Sequence, residues 1–303
     1  MKFGAQINNY LTSWGSILPT IKTVESGSWS SLWVSDHFFP PIGDNVEHKD
    51  ALEGWSLISA AATVTKRLRL GVLVSGNTYR NPALLAKMAA TVDQISGGRF
   101  ILGIGAGWHK REHEAFGWEF PSAKERSDRL EEAVELIKIL FTNEGPVSYN
   151  GQYYSLKDAY FSPPCTQKPH IPILIGGNGE RRTLRTLARF GDICNLDFNA
   201  PGSPEIFRRK IKILELHCEE FGRDPNEIKK TLHMPIHLEN DEKKAIKYRK
   251  IRGEWTLTGS ASLIINRIQE YLDVGVEELI FGSVPSKAEL YERLNNEILS
   301  AFI

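Results

Sequence analysis

The chain alternates two hydrophobic rhythms. Short, nearly continuous apolar runs are separated by longer stretches in which apolar residues recur at helical spacing. The runs that read as strands are 2–7 (KFGAQI), 31–38 (SLWVSDHF), 68–75 (LRLGVLVS), 99–107 (RFILGIGAG), 172–177 (PILIGG), 192–197 (DICNLD), 229–238 (KKTLHMPIHL) and 278–283 (ELIFGS). Such continuous apolar strands predict a parallel sheet covered on both faces. Between them, 53–67, 81–96 and 123–141 carry the helical period, with Pro82 where a first helical turn tolerates it. Further helices are expected over 180–190, 204–221, 260–273 and 286–300.

The rhythm breaks after the fourth run. GPVSYNGQYYSL, from 145, alternates aromatics around Asn150-Gly151, a strong short-range hairpin signal. Pro163, Pro164, Pro169 and Pro172 then punctuate an extended connection. The basic, glycine-interrupted stretch 241–260 reads as a mobile connection. Alternation over 303 residues without an obvious linker predicts the α/β class: a (β/α)8 TIM barrel, one domain over 1–303, with an insertion after strand 4 at about 145–171. A doubly wound sheet is the competing topology, because one sequence does not reveal strand order.

Composition narrows the partners. Basic and acidic residues number 37 each, so no net charge draws the chain to nucleic acid or an anionic membrane. The N-terminal segment has no long apolar region, and no apolar run approaches membrane-spanning length. Cys165, Cys194 and Cys218 are widely spaced and odd in number, so they form no disulfide framework and no C-x-x-C pair. Buried free thiols in a reducing, cytoplasmic setting are expected.

Candidate chemistry gathers in residues 99–117, RFILGIGAGWHKREHEAFG. GIGAG starts like a dinucleotide fingerprint, but Trp108 stands where the third glycine belongs. HKREH matches the inverted zinc motif, placing His109 and His113 one helical turn apart with Glu112 beside them; a solvated first turn of helix is the alternative. A third reading makes Gly103, Gly105 and Gly107 the C-terminal end of a barrel strand, where barrel enzymes carry their sites and glycine lets a flat ring approach. Other strand ends then matter equally. They bring Asp36 and His37, then Ser75, Asn77 and Tyr79, then the glycine turn from Gly176 to Arg182, whose N–H groups suit a phosphate. Together they point to a planar cofactor that bears a phosphate.

In SLWVSDHFF, in 53–117, in ERSDRLEEAVELIKILF and in PILIGGNGERRTLRTLARFGD, the chain resembles the luciferase-like flavin and deazaflavin oxidoreductases over nearly its whole length. The segment SGNTYRNPALLAKMAATVDQISGGR is similar to members assigned to the deazaflavin coenzyme F-420 (F420); other branches use FMN. The resemblance implies a hydride, or a flavin-activated oxygen, moved to or from a small organic substrate, and a homodimer. It implies that Asp36 contacts the ring system and that His37 is the proton donor. An imidazole, with its ordinary pKa of about 6.5, suits that role. It further implies a ring contact at Ser75, beside a bulge where several members have a non-proline cis peptide. A backbone contact at Ala106 and Gly107, and a phosphate turn at Gly176, Gly177, Gly179 and Glu180, complete the implied cofactor site.

One departure stands out. The sugar-phosphate dehydrogenases of that family keep a catalytic Glu where this chain has Trp108, and basic residues that would grip a sugar phosphate are not recognisable. Trp108 is expected to line the pocket instead. Glu112 and His109 are nearby candidates for the acid–base role, and Arg80, Lys110 and Arg111 for a basic surface facing the polyglutamate tail of F420. Two other classes stay open: a flavin-binding barrel without turnover, as carrier or sensor, and a zinc hydrolase using HKREH.

Overall fold

The computed structural model describes residues 1–197 and 202–303. Its strands are β1 (Lys2–Gln6), β2 (Ser31–Val34), β3 (Arg69–Val72), β4 (Ser75–Gly76), β5 (Phe100–Gly105), β6 (Val147–Asn150), β7 (Ser155–Ala159), β8 (Ile173–Gly176), β9 (Ile193–Asp197), β10 (Lys229–Leu238), β11 (Leu257–Gly259) and β12 (Glu278–Gly282). All parallel, β1, β2, β3, β5, β8, β9, β10 and β12 pair in that order, and β12 returns to β1 through Phe3↔Leu279. This closed ring is the expected (β/α)8 barrel, and it removes the doubly wound alternative.

The apolar runs are continuous because each strand buries both faces. Phe3, Leu32, Leu70, Leu102, Ile173 and Leu279 point outward into a core shared with the helices. A smaller cluster of Trp33, Leu73, Ile101, Leu174, Ile193 and Ile280 fills the barrel interior, with Val74 packed against it. Beneath it the interior turns polar: Trp33 Nε1 donates to Ser31 Oγ at 2.7 Å, and the buried Glu278 carboxylate pairs with Ser31 and Lys229. Among the described residues, no helix is long and apolar enough to cross a membrane.

Three segments differ from expectation. The third run is not one strand: after β3 the Leu73–Val74 peptide is cis, and β4 then pairs separately with the end of β5. The 241–260 stretch is not a mobile connection. It folds into a helix, Glu242–Arg252, followed by β11, which extends the barrel edge along β10. Asp241 caps that helix, and buried Arg249 ties it to Thr258 O (2.8 Å) and Glu242 (2.7 Å). Arg249 pairs with Glu242 and Glu254 while the lysines stay exposed, so little of the helix is apolar and apolar periodicity was a poor guide. Finally, the hairpin β6–β7 forms around Asn150↔Ser155, but its loop spans Gly151–Tyr154 rather than two residues. The Glu132 carboxylate fills that loop, accepting from the N–H groups of Gln152 (3.0 Å), Tyr153 (2.9 Å) and Tyr154 (2.7 Å).

Candidate active site at the barrel mouth

Beyond β2 the chain leaves the barrel through Asp36 and His37, and alternation sends their side chains apart. Asp36 turns into protein, its side chain 1% exposed. The Arg80 guanidinium takes both oxygens, at 2.7 and 3.0 Å, and the Gly76 N–H donates to Oδ2 at 3.1 Å. Burial pushes the Asp36 carboxyl up, while the Arg80 charge and hydrogen bonds pull against it. Paired donors at these distances are the geometry of a bidentate ion pair. Arg80 also reaches Glu53 at 2.8 Å, and Glu53 caps the helix Gly54–Val64. Both Asp36 oxygens are therefore committed to protein partners.

His37 faces the other way, 16% exposed, with Nδ1 at 2.9 Å from Glu112 Oε2. Its ring meets Trp108 edge-on, centroids 5.4 Å apart. Trp108 is 60% exposed and stands clear of the core. The helix Lys110–Phe116 that follows is capped by His109, whose Nδ1 accepts from the Glu112 N–H. His109 Nε2 then donates to Pro41 O at 3.1 Å. His113 donates Nδ1–H to His109 O (2.9 Å), and its Nε2 accepts from Thr78 (2.8 Å). Every ring nitrogen of the HKREH histidines thus has a structural partner. Among the described residues, no group of three His, Cys, Asp or Glu side chains is placed to hold a metal.

The alternating glycines at the mouth do something other than expected. A Cβ on Gly105 or Gly176 would lie 2.8 Å from a Val74 methyl, and Val72 O and Val74 crowd Gly103. The glycines make room for the irregular 73–75 segment and leave Val74 half-buried at the mouth. Ser75 is fully buried, its Oγ accepting from Trp55 Nε1 at 3.0 Å. Ala106 is half-buried, and the Gly107 carbonyl accepts from Arg126 at 3.0 Å.

On the far side, β8 ends at Gly176 and opens into a turn. Gly177 has φ +126°, a conformation that favours glycine. The Leu184 N–H returns to Gly179 O at 3.0 Å, starting the helix Thr183–Phe190. Among the described residues, the N–H groups of Gly179, Glu180 and Arg181 donate to no protein acceptor. Lys210, buried beneath the turn, reaches Asn178 O (2.9 Å) and Glu180 Oε1 (2.8 Å). The Glu180 side chain therefore braces the turn from outside, with Arg209 at 3.1 Å.

The structure brings His37, Trp108 and the glycine turn to one end of the barrel. It pairs Arg80 with the buried Asp36, while Lys110 and Arg111 stay at the surface in exposed pairs with Glu114 and Glu47. Sequence reasoning missed Arg80 as the Asp36 partner, Tyr79 as a Glu112 partner and Lys210 beneath the turn. The H-x-x-E-H spacing marked Glu112, though for a different chemistry.

A family description, luciferase-like monooxygenase, matches residues 2–279. The chain belongs to the luciferase-like monooxygenase family. An F420-dependent glucose-6-phosphate dehydrogenase of Amycolatopsis mediterranei is 28% identical over 290 residues, 83% of either chain. Another, of Kineococcus radiotolerans, is 33% identical over 239 residues, 77% of this chain and 67% of that one. Among solved structures, an F420-dependent secondary alcohol dehydrogenase in complex with an F420-acetone adduct superposes with a TM-score of 0.85 at 20% identity, over 99% of this chain and 98% of that one. The expected luciferase-like oxidoreductase, and its barrel, are borne out.

Proposed function

We propose that this luciferase-like chain uses the deazaflavin coenzyme F420, rather than FMN, to move a hydride between the coenzyme and a small organic alcohol or carbonyl compound. The relatives at 28% and 33% identity are F420-dependent by name. The site suits the group on one observation above the rest: three undonated N–H groups at Gly179, Glu180 and Arg181, over the buried Lys210 cation, offer a phosphate cradle across the mouth from His37.

In this reading Val74, Ala106 and the Gly107 backbone support one face of the ring. The Gly179, Glu180 and Arg181 N–H groups hold the phosphate, and Gly176 and Gly177 shape the turn, the Gly177 N–H itself donating to Asn195 O at 3.2 Å. Asp36 and Ser75 act from below, keeping the 75–77 backbone in place through Gly76 and Trp55. Bound there, the deazaflavin would supply the hydride chemistry. His37 delivers a proton to the substrate oxygen, or takes one from it, as the hydride moves. Trp108 shields this exchange from water. Arg80, the half-buried cation beside His37, is committed to the buried Asp36, so the substrate is proposed to be uncharged, unlike a sugar phosphate.

The proposal also includes one domain over 1–303, a cytoplasmic setting and a homodimer. The buried thiols of Cys165, Cys194 and Cys218 suit a reducing compartment. Absorbance titration of the purified protein with F420 and with FMN tests the cofactor. Saturable F420 binding, with FMN at least tenfold weaker, is expected; the reverse order overturns the reading.

A further inference from the structure

We propose that Glu112 is the positioning residue for His37, holding its imidazole as the Nδ1–H tautomer and leaving Nε2 to exchange the proton. This rests on the His37 role proposed above and adds the residue that sets it.

The argument starts from burial. Glu112 is 0% exposed, so an ionised carboxylate there needs donors on both oxygens. It has the partners. Oε1 accepts from the Phe38 N–H at 2.7 Å. Oε2 accepts from His37 Nδ1 at 2.9 Å and from Tyr79 OH at 2.5 Å. Burial alone would push the Glu112 carboxyl up, but hydrogen bonds and charge from His37, and hydrogen bonds from Tyr79 and Phe38, hold it below the usual carboxylate range. The remaining neighbour, His109, lies 3.7 Å away, and its Nδ1 already accepts from the Glu112 N–H. His109 therefore does not compete with His37 as a donor.

Two consequences follow from this chemistry. A buried, ionised, fully engaged carboxylate has no proton to give and no path to substrate, so Glu112 does not replace the acid that Trp108 displaces. An acceptor fixed on Nδ1 does choose the tautomer, because the carboxylate binds only the protonated nitrogen. The grip on both His37 and the adjoining Phe38 N–H fixes the ring and its backbone together. Nε2 has no hydrogen-bond partner among the described residues. The sequence order makes the device local: the first turn of the helix Lys110–Phe116 carries Glu112 back under the end of β2.

The test uses long-range proton–nitrogen NMR of the histidine rings in the coenzyme-free protein, with the parent, E112Q and E112D. Reduced F420 and a panel of small ketones and aldehydes then read single-turnover reoxidation. His37 of the parent is expected as the Nδ1–H tautomer. In E112Q the tautomers mix and the bound step slows about 10- to 100-fold, while F420 affinity changes less than twofold. E112D, which keeps the charge, recovers part of the tautomer preference and of the rate. An Nε2–H tautomer in the parent overturns the proposal without any variant, should E112Q fail to fold. So does an E112Q that keeps both the parental tautomer and the parental rate. A tautomer that moves while neither E112Q nor H37A slows the step upholds the positioning and overturns the proton-transfer reading instead.

Discussion

At the end of β2 and after β4 the mouth is organised by side chains: Asp36 on Arg80, His37 and Tyr79 on Glu112, each carboxylate buried and held on both oxygens. After β8 it is organised by backbone: Gly177 at φ +126°, and N–H groups that point at no protein acceptor. The first half meets its own charges internally and leaves His37 as the proton carrier proposed for the reaction. The second leaves its donors for something that arrives. The difference predicts opposite vulnerabilities. Removing a charge should damage the first half, and adding a Cβ should damage the second.

The largest effect should come from the proton carrier. His37→Ala should lower the rate of the bound step about 10²- to 10⁴-fold with F420 affinity retained. Stopped-flow measurement at saturating coenzyme checks this, and a parental rate would leave His37 a rim residue. Next is the charge pair. Arg80→Met strands the buried Asp36 carboxylate and should cost about 3–5 kcal/mol in urea unfolding. Stability unchanged within 1 kcal/mol would mean Asp36 relieves itself by taking a proton, the direction in which burial already pushes it.

The glycine turn should behave differently. Gly177→Val forces a β-branched residue into a left-handed conformation and covers the donors. F420 affinity should fall at least tenfold while the helical circular dichroism signal stays parental; unchanged affinity would move the phosphate elsewhere. The smallest stability effect is expected at Trp108. It is 60% exposed, so Trp108→Ala should shift unfolding by less than about 0.5 kcal/mol. Its tryptophan fluorescence contribution should still report coenzyme binding in the parent, and loss of that quench in Trp108→Phe identifies it among the seven tryptophans.

Much of the fold was legible because barrel strands buried on both faces leave unbroken apolar runs. What was not legible followed from long-range pairing. The basic 241–260 stretch looked unstructured until Arg249 found Thr258 and Glu242. Gly103, Gly105 and Gly176 were visible as glycines, yet their reason, room for Val74, depends on a backbone break in another strand. His37 and the glycine turn could be picked out by residue type and place. Asp36 could too, but its Arg80 partner lies 44 positions away and no spacing rule links them. Glu112 was marked by a metal motif whose histidines turned out to be a helix cap and a strut.

The hairpin β6–β7 adds a constraint of another kind, on how the enzyme can be re-engineered. Its loop closes around the Glu132 carboxylate, and a Cβ on Gly151 would clash with that group. Three residues further on, the Tyr154 hydroxyl accepts from Asn77 Nδ2 at 3.2 Å, linking the loop to the segment after β4. The insertion is thus riveted at its tip to a barrel helix and to the mouth. A cassette swapped in from another sequence would have to carry its own acceptor-matching loop or bring a partner for Glu132. Residues 162–164 are exposed and outside both strands, yet the Ser162 and Pro164 carbonyls accept from Lys87 Nζ (2.6 Å) and Gln94 Nε2 (3.0 Å), so the return path is tied down as well.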